Sequence, residues 1–133
     1  MENTALGMSV RLKADFESAR SQTVEALKAE GFGVLTEIDV KETFKKKLDV
    51  EFRPYRILGA CNPAFAYRAL TTAPEVGLLL PCNVTVAQVD AETVEVSIID
   101  PVVMLGIVAD DALKPVAEEA RTRLSRVVAA LSA

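Results

Sequence analysis

The chain has 133 residues, 50% hydrophobic and 26% charged, with a formal charge of −4 and neither histidine nor tryptophan. That length fits one domain with a real core. Without histidine there is no Ser-His-Asp or Cys-His nucleophile arrangement and no access to the commonest metal ligand. The mixed, slightly acidic charge argues against nucleic acid, which selects a basic face.

No apolar run between Met1 and Ala14 has the length of a signal peptide. No stretch approaches the ~20 apolar residues of a membrane helix. The expected location is therefore the cytoplasm, where two cysteines are not by themselves a disulfide framework.

Met8, Val10, Leu12 and Ala14 alternate with polar residues, which reads as a half-buried strand. Asp15 is placed to cap a helix in which Phe16, Ala19, Thr23 and Leu27 recur at helical spacing, and Gly31 supplies its left-handed end. Phe32 to Ile38 follows as a strand with Phe32, Val34 and Ile38 on one side. Asp39 caps a short helix from Val40 with Phe44 and Leu48 on its apolar face. Lys41, Lys45, Lys46 and Lys47 lie off that face, Glu42 pairing with Lys46, and read as a solvated surface or a phosphate patch. Asp49 to Pro54 is a turn.

Tyr55 to Cys61 reads as a strand with apolar groups on both faces, so cover is expected on both, one side being a second subunit. Asn62 and Pro63 open a helix as cap and first residue, and Pro74 ends it. The apolar run Gly77 to Pro81 joins Cys82 to Val89 as one interrupted strand. Asp90 to Thr93 is a hairpin turn into the alternating strand Val94, Val96, Ile98. Asp100-Pro101 closes it, and Val102 to Val108 reads as an apolar connector. The last helix is the clearest, with an apolar stripe through Leu113, Val116, Ala117, Ala120, Leu124, Val127, Val128 and Leu131. Glu119 and Arg123 are expected to pair on its outer face.

Four blocks in this order carry a resemblance. Gly33 to Lys41, Gly59-Ala60-Cys61-Asn62-Pro63, Leu80-Pro81-Cys82-Asn83-Val84 and Ile99-Asp100-Pro101 resemble the family called domain of unknown function 302, over about Phe16 to Gly106. The resemblance implies a small α+β domain of TATA-binding-protein-like plan, β-α-β4-α, in which a curved, mainly antiparallel sheet packs on a long C-terminal helix. The element order read from the residues agrees, with short helical insertions. The resemblance further implies a prokaryotic protein, often a homodimer, of unestablished biochemical role. The likeness in plan is no argument for DNA binding, since fold does not fix function.

Candidate site residues gather at strand ends. Cys61 precedes a helix N-terminus, which favours a thiolate, and Cys82 opens the next strand. If they meet, a redox disulfide or a soft-metal site follows; the bland reading is two buried cysteines acting as small hydrophobes. Asn62, Pro63, Asn83, Asp100 and Pro101 form the second candidate, a small-ligand rim, or else are caps and turn residues. Scattered acids, including Glu37, Asp39, Asp110 and Asp111, suggest no catalytic pair. The expectation is a dimeric binding domain for a small ligand or protein partner, without clear catalysis, with no metal and no cofactor assigned. The rival is a thiol-dependent redox or soft-metal protein using Cys61 and Cys82.

Overall fold

The computed structural model describes residues 1–132. Strands β1 (Glu2–Asn3), β2 (Gly7–Lys13), β3 (Gly33–Asp39), β4 (Tyr55–Cys61), β5 (Cys82–Gln88) and β6 (Thr93–Ile99) form one antiparallel sheet in the order β1-β2-β6-β5-β4-β3. The helices are α1 (Phe16–Ala29), α2 (Val40–Leu48), α3 (Pro63–Thr72), α4 (Pro101–Gly106) and α5 (Lys114–Ser132). The expected α+β class holds.

Alternation along the strands decides which face is covered. Met8, Val10 and Leu12 of β2, Leu58 and Ala60 of β4, Val84 and Val86 of β5, and Val94, Val96 and Ile98 of β6 are all buried. They meet the stripe of α5 and the Ala19, Thr23 and Leu27 face of α1. Each fully buried Val or Leu stabilises by about 1.5–3 kcal/mol. The Thr23 hydroxyl is accommodated there by donating to Ala19 O at 2.8 Å. The opposite, more open face carries Ser9, Ser97, Thr85, Asn83, Ile57 and Ile99.

Local signals act as their chemistry predicts. Asp15, Asp39 and Asn62 cap α1, α2 and α3 through their side-chain oxygens. Gly31 takes φ +84° after α1, and Phe32 N returns to Leu27 O at 2.9 Å. Glu42 pairs with Lys46 at 2.7 Å.

Four expectations are corrected. The run Gly77 to Pro81 is not strand: Pro74–Leu78 is a 3₁₀ turn, the Leu80–Pro81 peptide is cis, and β5 begins only at Cys82. Val102 to Val108 is not a bare connector, because Asp100 accepts from Val102 N at 2.9 Å and starts α4. Ile38 does not share a side with Phe32 and Val34. A bulge between Val34 and Thr36 shifts the alternation, pairing Ile38 with Ile57 on the open face, 50% exposed. Glu119 does not pair with Arg123, because Arg68 takes it at 2.7 Å from across α3. Within the single chain, Leu58 and Ala60 of Tyr55–Cys61 are buried and Ile57 is half-buried.

Candidate functional site: an apolar cleft beneath helix α3

The Asn62-Pro63 turn sends α3 away from the end of β4, and the 3₁₀ turn brings the chain back to β5. Between α3, the ends of β4 and β5, and the face of α5 lies a cleft of about 40 Å³. Its walls include Phe32, Phe65, Ala69, Leu80, Met104 and Val116. Phe65 is the main anchor of α3: it and Ala69 are the buried residues of that helix. Its ring meets Phe32 at 6.1 Å between centroids, and the guanidinium groups of Arg68 and Arg123 lie 5.8 and 5.3 Å from its centroid. A second cavity of about 180 Å³ lies on the other side of α4, with Leu105 lining both.

Of the sequence-predicted residues, Cys61, Asn62, Cys82 and Pro101 line this cleft. Pro63, Asn83 and Asp100 do not. Pro63 is the first residue of α3. Asn83 pairs with Gly59 and is exposed. Asp100, only 9% exposed, caps α4 and meets Arg121 at 3.3 Å.

Cys82 stands opposite Ala60, next to Cys61, so the two cysteines occupy neighbouring strands; both are free thiols. Burial pushes the Cys61 thiol up. Burial, followed by the charge of a Cys61 thiolate, pushes Cys82 up to about 11. Both shifts run opposite to the thiolate expected beside a helix N-terminus. No group of three or more His, Cys, Asp or Glu side chains suited to a metal occurs among the described residues.

Two other charged clusters are internally paired. Glu37 lies between Arg20 (2.6 Å) and Arg56 (3.2 Å), and the hydrogen bond from Arg20 is the main cause holding its carboxyl below the usual range. Lys45 meets Asp49 and Glu51, and Lys41 donates to Phe52 O. The lysine cluster therefore reads as a solvated, paired face.

The sequence model of the family described as "Domain of unknown function DUF302" matches residues 8–131. The chain belongs to the DUF302 family. It is similar to the solved structure titled "Crystal structure of uncharacterized conserved protein DUF302 from Bacillus stearothermophilus". The identity is 31%, covering 96% of this chain and 99% of that one, with a TM-score of 0.87. No curated protein matches. No helix of this DUF302 chain, among the described residues, is long and apolar enough to cross a membrane.

Residues that sequence reading missed are Phe32, Phe65 and Met104, which line the cleft, and Arg123, which lies over the Phe65 ring. Phe65 carried a signal: the first large side chain after an Asn-Pro helix start points back over the strand it left. Arg123 carried none, because its helical spacing from Glu119 suggested a local pair.

Proposed function

We propose that this DUF302 protein is a homodimeric binding domain that holds a small molecule in the cleft beneath α3 and leaves it chemically unchanged. The observation that carries this reading is the cleft itself. It draws four of the predicted site residues together under a helix with only two buried side chains. Concave, mainly apolar sites with a few polar groups are where small ligands bind. Raised thiol pKa values and a lining that includes no carboxylate favour retention over reaction.

The second copy belongs on the open face of the sheet. Its charged groups, Glu2, Arg11, Lys13 and Glu95, gather at the β1–β2–β6 side, leaving Thr85, Ala87, Ile57, Ile99 and Ile38 as an uncharged field. A charge-poor centre with a polar rim suits an interface. Five strands of seven residues, with the two-residue β1 at their edge, give on the order of 550 Å² per copy. This is roughly two thirds of the ~800 Å² per partner of a stable pair, and Leu35, Val50 and Phe52 are further exposed apolar side chains.

Native mass spectrometry tests the dimer, and amide NMR of the ¹⁵N-labelled protein tests the cleft. The expected result is a dimer of the 14.3 kDa chain that an Ile57→Lys substitution converts to monomer without unfolding. A wild-type chain that stays monomeric at about ten micromolar would end the dimer reading. Small monocarboxylates and alcohols that leave α3 amide signals unmoved would end the cleft reading.

A further inference from the structure

The larger cavity, about 180 Å³ on the far side of α4, has a different chemistry from the cleft. Leu105, Leu113 and Ala117, all buried, supply its apolar lining. Gly106 lines it too, and a Cβ built on Gly106 would meet no atom within 4 Å. The charged lining is Asp110, Asp111, Lys114 and Glu118. Lys114 is taken by Asp111 at 3.1 Å. Asp110 accepts from Ala112 N at 2.9 Å through one oxygen. Neither Asp110 nor Glu118 forms an ion pair among the described residues. An apolar cavity is thus edged by two carboxylates that have no cation of their own.

We infer that this cavity binds a small primary amine, its apolar body of one ring inside and its ammonium at the Asp110 and Glu118 rim. The inference stands apart from the cleft reading above. Volume sets the body. Apolar cavities of about 150 Å³ take up benzene, and this one is slightly larger. Charge sets the head. Two carboxylates beside a lysine that is already paired attract a cation and disfavour a carboxylic acid. The apolar lining selects an organic cation over a metal ion, and no group of three or more side chains suited to a metal occurs among the described residues. Glu118 is exposed and Asp110 half-buried. Their share of the affinity is therefore modest and salt-sensitive, and burial of the ring supplies the rest.

The test titrates ¹⁵N-labelled protein with benzylamine, benzyl alcohol and methylamine, in wild type and in the double variant Asp110→Asn, Glu118→Gln. Asparagine keeps an oxygen that can accept from Ala112 N, so the variant is expected to fold as the wild type does. Benzylamine is expected to shift the amides of Leu105, Gly106, Ala109 and Lys114, and to bind the double variant about fivefold more weakly. Benzyl alcohol is expected to bind both proteins alike and more weakly than benzylamine. Methylamine, the same charge without a ring, is expected to shift none of these amides. Equal affinity for benzylamine and benzyl alcohol, or benzylamine binding untouched by the double substitution, overturns the amine assignment. Methylamine binding as tightly as benzylamine reduces the site to an acidic surface only and overturns the part given to the cavity. Shifts from none of the three probes overturn the inference outright, and the α3 amides report on the cleft separately.

Discussion

Phe65→Ala asks whether α3 is a cover held at one point or an integral part of the core. Phe65 and Ala69 are the buried residues of α3. Docking of the helix therefore rests mainly on one aromatic side chain, its contact with Phe32 and the stacked guanidinium groups. Burial of a Phe side chain stabilises by about 1.5–3 kcal/mol, with roughly 0.5–1.5 kcal/mol more for an aromatic pair. A phenylalanine sealed inside a core costs about 3–5 kcal/mol when truncated to alanine. Here the loss saturates, because once α3 lifts away nothing further is forfeited while sheet, α1 and α5 stay packed. The expected fall in unfolding free energy is about 2–3 kcal/mol by urea titration. Native-state hydrogen exchange should show α3 and Pro74–Leu78 opening far more readily than β5 or α5. A loss of 4 kcal/mol or more, with protection reduced equally everywhere, would refute the reasoning and make α3 a core helix.

Three further outcomes follow. Asp100→Ala removes the cap of α4 and the Arg121 partner and should cost about 1–2 kcal/mol in chemical denaturation; an unchanged midpoint would show α4 needs no cap. Glu37 has a folded-state pKa below its unfolded value, so its stabilisation is full above the ordinary carboxylate pKa and fades as pH falls through the folded one. Glu37→Gln should therefore flatten the acid side of a stability–pH curve, and a parallel curve would contradict that. Cys82 should resist iodoacetamide at pH 7.5 in the native protein and react in denaturant, since burial raises its pKa to about 11; rapid native alkylation would restore the redox reading.

Much of the fold was legible because its signals are local. Asp15, Asp39 and Asn62 cap what they promise to cap, and the stripe of α5 leaves little choice of face. Asp100-Pro101 repeats the pattern of Asn62-Pro63, yet its helix was missed. Pro101, Met104 and Leu105 are all buried, so a one-and-a-half-turn helix shows no polar side and no period. The run before Pro81 failed for a similar reason: an apolar stretch without alternation does not distinguish strand from turn, and Leu78 ends 84% exposed. At the site, Cys61 and Asn62 were visible as a strand-to-helix junction. Phe32, Met104 and Val116 were not, since they reach the cleft only through tertiary packing.

The pairing of β2 with β6 also sets a schedule for the newborn chain. Gly7 lies opposite Ile99 and Lys13 opposite Thr93, so the first long strand finds its neighbour only after most of the polypeptide has been made. At ordinary synthesis rates of about 5–20 residues per second, that interval is on the order of 5–20 s. Meanwhile β2, whose Met8, Val10 and Leu12 are later sealed beneath α5, has only the two-residue β1 as a native partner strand. Until β6 is made, the apolar edge of β2 is the segment of this chain that a chaperone would meet first.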